Sequence, residues 1–170
     1  DPGVEIGSVQ PTDPGVDVWI KDDGTADPVP SALSELTDDE YYSSIFSPVL
    51  RFAITTDTHI LDGYGEQQTR KLQMFYDAAY DYAAKADGRL DAILFAGDCT
   101  NAGSSGALNE FFRIARENTR GSTVVKAVMG NHEFYSGAST AEARFLKASG
   151  YSSTDNDLVI GGYHFIMLSP

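Results

Sequence analysis

The 170-residue sequence predicts an α/β protein with a mostly parallel sheet and a terminal antiparallel strand pair. Three observations carry this. Short apolar runs rich in Val, Ile and Phe alternate with longer segments of helical periodicity, as β-α-β units with right-handed crossovers require. The first three runs each close on polar residues: RFAITTDTH (51–59), LDAILFAGDCTN (90–101) and VVKAVMGNHEFY (124–135). The last two apolar runs are separated only by Gly161-Gly162, which fits a hairpin turn.

Residues 1–48 read as an acidic, Pro-rich leader. Residues 1–40 hold eleven acids and one lysine, a charge of −10 out of the total −13, and six of the seven prolines precede residue 49. Such composition cannot bury enough apolar surface and fits a solvated linker better than an acidic partner-binding arm. Within it, VDVWI (16–20) alternates like an edge strand, and Thr37-Asp38-Asp39-Glu40 has the form of a capping box opening a short helix to about residue 46. Residues 49–170 form the second region. Strands are expected at 51–56, 91–96 and 123–129, buried on both faces, and then at 157–160 and 163–168. Helices are expected at 66–86, 105–118 and 140–148. Leu72, Phe75, Ala79 and Ala83 line the first helix, Leu108, Phe111, Phe112 and Ala115 the second, and Ala143, Phe145 and Leu146 the third.

Composition excludes several classes. Hydrophobic content of 42% fits a globular fold. No run approaches the roughly 20 apolar residues of a membrane span. A basic nucleic-acid footprint is absent. One cysteine, Cys99, excludes an internal disulfide framework. The chain opens on Asp1 without a visible signal peptide, and the acidic leader with scarce cysteine suggests a processed parent, exported or held at the cell surface.

In an open α/β sheet, ligands bind beyond the carboxyl ends of the strands. Three adjacent ends would gather Asp57, His59, Asp98, Asn131 and His132. Carboxylate, imidazole and amide donors suit two divalent ions of the Mn, Fe, Zn or Ni class. Two such ions about 3.5–4 Å apart can clamp both oxygens of a phosphoryl displacement.

Asp57-Thr58-His59, Gly97-Asp98 and Gly130-Asn131-His132-Glu133 resemble, in order, the D-x-H, G-D and G-N-H-[ED] blocks of calcineurin-like metallophosphoesterases, from about residue 50 onward. The resemblance implies the front half of a four-layer α/β/β/α sandwich. It implies a hydrolase, a phosphatase or phosphodiesterase, acting on a small phosphoester substrate. It also implies roles. Asp57 and His59 would ligate one metal, Asp98 would bridge, and Asn131 would ligate the second. His132 would protonate the leaving oxygen, Glu133 would orient His132 from behind, and a hydroxide bridging the metals would be the nucleophile. The region after Asp98 lacks the Tyr ligand of purple acid phosphatases. GNHEF is shared with 5′-nucleotidases, which keeps nucleotide substrates in view.

The family completes its metals with a further His and a G-H-x-H block, and the sequence has neither; His164 is its third and last histidine. The expectation is an incomplete domain, poorly active alone, whose remaining half is missing or comes from another chain. The competing reading is a non-catalytic binding or scaffold module that keeps the fold. His164 reads as an ordinary strand histidine and Cys99 as a core filler. Asn101 either bonds a ligand or caps the turn before the second helix. Tyr76, Tyr80 and Tyr82 read as helix packing. Tyr64 and Tyr135 either contact substrate or cover the core.

Overall fold

The computed structural model describes residues 49–63 and 65–170, which belong to the compact unit Pro48–Pro170. The expected leader, its helix and its VDVWI strand lie outside the described residues, as does Tyr64. The elements run β1 (Phe52–Thr55), α1 (Glu66–Ala84), β2 (Ala92–Phe95), α2 (Ser105–Asn118) and β3 (Val124–Ala127). Two 3₁₀ turns follow (Asn131–Phe134 and Ala138–Thr140), then α3 (Ala141–Ser149), β4 (Asn156–Ile160) and β5 (Tyr163–Met167).

β1, β2 and β3 form a parallel sheet in that order, with Phe52 opposite Ala92 and Ala92 opposite Val124. β4 and β5 form an antiparallel pair turned at Gly161 and Gly162, both at positive φ as a two-residue hairpin loop of this kind demands. The fold is therefore mixed α/β, as expected, and is consistent with part of a metallophosphoesterase sandwich.

Alternation along β2 explains the layering. Ile93 and Phe95 face a core shared with Leu72 and Tyr76 of α1, Leu108 and Phe111 of α2, and Phe145 of α3. Ala92 and Leu94 face the opposite way, against Leu158 and Ile160 of β4 and Phe165 and Met167 of β5. All three helices thus cover one face of the sheet and the hairpin covers the other. The helices have local causes as well. The Ser104 hydroxyl caps α2 by accepting from Ala107 N at 3.1 Å. Gly150, at φ 74°, ends α3 by donating to the Leu146 carbonyl at 2.9 Å.

Some expectations fail for geometric reasons. Only β2 is buried on both faces; β1 and β3 lie at the edges of the three-stranded sheet, and Phe52 and Ile54 stay exposed. Ala143 is exposed, because the buried stripe of the nine-residue α3 runs through Ala141 and Phe145, four apart. Tyr76 and Tyr80 are buried in α1, whereas Tyr82 is exposed. Among the described residues no helix is long and apolar enough to cross a membrane.

Phe95 is fully buried and packs edge-on against Phe111 with centroids 5.0 Å apart. Phe95→Ala is expected to lower unfolding free energy by about 3–5 kcal/mol, read by urea denaturation. A loss under about 1 kcal/mol would contradict the central position assigned to β2.

Candidate metal centre at the strand ends

The three parallel strands end on one rung, at Thr55, Phe95 and Ala127. The segment after β1 is then stitched to the segment after β2. Asp57 N donates to the Gly97 carbonyl and His59 N to the Asp98 carbonyl, each at 3.2 Å, and Ile60 N to the Cys99 carbonyl at 3.1 Å. The Thr58 hydroxyl adds a bond to the Cys99 carbonyl at 2.7 Å. Following this ladder forces Asp57, His59 and Asp98 into left-handed backbone, with φ of 56°, 46° and 48°. They are the only non-glycine residues at positive φ among those described, and all three are sequence-predicted ligands. The conformation costs about 1–2 kcal/mol per residue and persists where surrounding structure over-determines it, as at ligand sites.

The consequence is a donor cluster. One ligand atom each from His59, Asp98 and His132 lies within 4.8 Å of the others, and all three residues are half-buried. The imidazoles of His59 and His132 meet edge-on, 4.4 Å between centroids. Asp57 adjoins the cluster, with Oδ1 3.5 Å from His59 Nε2. Two features test whether these residues suit a cation. His59 Nδ1 is buried without a hydrogen-bond partner among the described residues. Gly130 leaves room for the Asp98 carboxylate, which a Cβ at position 130 would strike. A carboxylate beside two imidazoles, with a further carboxylate next to it, fits a borderline divalent ion.

Glu133 takes a different place from the expected one. Its side chain is fully buried and takes hydrogen bonds from Thr100 N at 2.9 Å, the Thr100 hydroxyl at 2.8 Å and Gly130 N at 2.7 Å. It therefore ties the segment after β3 to the segment after β2, and none of these bonds reaches the His132 ring. The ring is held instead by the backbone carbonyl of Asn101, 2.7 Å from Nδ1. A carbonyl only accepts, so Nδ1 carries the hydrogen and, in the neutral ring, Nε2 is left as the acceptor. The Asn101 side chain does not cap α2, a role that Ser104 fills. His132 N also donates to Asp98 Oδ1 at 3.0 Å, fixing the carboxylate.

Asn131 follows Gly130 directly, and its Nδ2 donates to the Tyr135 hydroxyl at 2.6 Å. The other flagged residues fall outside the donor cluster. Cys99 is fully buried, and burial first, then the Glu133 and Asp98 charges, push its thiol well up; it fills the core. His164 is exposed on β5 beside Asp157. Sequence reasoning had missed Thr100 and Gly103. A Cβ at Gly103 would strike the Glu133 backbone, and Gly103 N donates to the Thr100 hydroxyl at 2.9 Å. The only signal for them was the spelling GDCTNAG.

Glu133→Gln places an amide NH₂ opposite at least one of three donors. The expected loss is about 1–3 kcal/mol in unfolding free energy, together with weakened manganese(II) binding in calorimetry. Unchanged stability would show that the tie is dispensable.

A search of curated proteins returned no match. The model of the calcineurin-like phosphoesterase family matches residues 50–165, the stretch that contains the parallel sheet, every ligand candidate and most of the terminal hairpin. With that match over more than half its length, the chain belongs to the calcineurin-like phosphoesterases.

Proposed function

We propose that the chain hydrolyses phosphate mono- or diesters with two divalent cations held beyond β1, β2 and β3. Family membership and the His59–Asp98–His132 cluster support metal-dependent phosphoester hydrolysis in general. The observation behind it is the convergence of three donors from three strand ends within 4.8 Å, which favours a cation at this place. In this reading Asp57 and His59 would hold one cation, Asn131 the other, and Asp98 would serve both. When bound, the cations supply an activated water and offset phosphate charge. Two carboxylates against two dications leave a positive site suited to an anionic substrate.

The chain's own residues do the rest. The Asn101 carbonyl fixes the His132 tautomer, so Nε2 is the atom that can carry a proton to the leaving oxygen. The His132 ring belongs to the same donor cluster as His59 and Asp98, which favours it as the proton carrier for a phosphoester bound there. The donor count is short, three side chains for one cation and two for the other, so weak metal binding and slow turnover are expected of the 170-residue chain.

An aryl phosphate and a bis-aryl phosphodiester supplied with saturating manganese(II) test this. Hydrolysis of at least one is expected, lost with chelator and restored by added metal. Asp98→Ala should reduce the rate at least about 100-fold, since even residues that only support ligands cost 10–100-fold. A wild-type chain that binds manganese and cleaves neither ester would turn the assignment toward a binding module.

A further inference from the structure

Tyr135 is an exposed aromatic, 61% accessible, and the core does not account for its position. It stands at the end of the 3₁₀ turn Asn131–Phe134, so residue 131 sits one turn before it. Its hydroxyl takes the hydrogen bond from Asn131 Nδ2 at 2.6 Å, and its ring lies 4.4 Å from that of His132. One side chain therefore touches both Asn131 and His132.

A carboxamide has two unlike ends. A cation accepts only Oδ1, and an exposed Asn rotates freely between its two orientations. A phenol can accept from Nδ2 or donate to Oδ1; the Tyr135 hydroxyl accepts from Nδ2 here, which leaves Oδ1 free. We propose that Tyr135 is a positioning residue that holds the Asn131 amide with Oδ1 presented to a divalent cation. The inference rests on Asn131 being a ligand, as read above. The ring contact with His132 limits the swing of the phenol and so keeps the acceptor in place.

The experiment titrates manganese(II) into the 170-residue chain, followed by calorimetry and by electron paramagnetic resonance of free ion. Tyr135→Phe keeps the ring and removes the acceptor. It is expected to weaken the weaker binding phase about tenfold and leave the tighter phase unmoved. Asn131→Asp supplies a carboxylate whose two ends are alike, so adding Tyr135→Phe to it should change affinity less than about threefold. A merely structural role for Tyr135 would cost the same in both backgrounds. Independently of metal, the Asn131 side-chain amide resonance in ¹⁵N spectra should shift in Tyr135→Phe.

The outcomes separate. If Asn131→Ala weakens binding and Tyr135→Phe leaves both phases unchanged, the inference is overturned and the ligand assignment stands. Equal losses in the Asn and Asp backgrounds also overturn it. If Asn131→Ala itself changes nothing, the ligand assignment fails and takes the inference with it.

Discussion

The carboxylate of Glu133 is the constraint on which the arrangement depends. A fully buried carboxyl group is costly unless its oxygens are satisfied, and here three donors satisfy them. Two donors come from Thr100 beyond β2 and one from Gly130 beyond β3, so the bonds exist only when both segments are in place. Asp98 lies between Gly97 and Cys99 on one tied segment, and Asn131 and His132 lie on the other. Arg144 reinforces the join from α3, with Nε donating to the Gly103 carbonyl at 2.8 Å and a terminal nitrogen to the Gly137 carbonyl at 3.1 Å.

The join between β1 and β2 works differently. It is a backbone ladder continued past the strand ends, with an isolated parallel bridge between Ile60 and Thr100. Continuing it requires unfavourable backbone at Asp57, His59 and Asp98. Asp tolerates such a backbone better than most residues, since its short polar side chain bonds locally. His has less local compensation, and His59 Nδ1 is also the orphaned atom of the cluster. Backbone conformation and hydrogen-bond deficit thus concentrate at one residue of the donor cluster.

Much of this was legible in the sequence. The α2 boundaries follow from the run Leu108, Phe111, Phe112, Ala115, and the hairpin from Gly161-Gly162. The site could be read as far as residue type at strand ends, because parallel strands bring their carboxyl ends together wherever the crossovers put them. Partner choice was not legible. The group that orients His132 is a main-chain carbonyl of Asn101, and every residue has one. Glu133 and Thr100 are 33 residues apart, and their pairing depends on how closely Gly103 lets the two segments approach. Burial of β1 was overestimated because an edge strand and a central strand can share the same apolar composition.

The shared rung on which β1, β2 and β3 end has a metric consequence. Neighbouring strands in any sheet lie about 4.7–4.9 Å apart. Side chains hung from adjacent strand ends start at about that spacing, whereas β1 and β3 lie two spacings apart, so the segments after the strands must fold inward to bring the His59, Asp98 and His132 donors within 4.8 Å of one another. The sheet sets the starting distance between the three segments, and the segments themselves close the gap. Substitutions in those segments can then change how closely the donors approach while leaving the strands undisturbed.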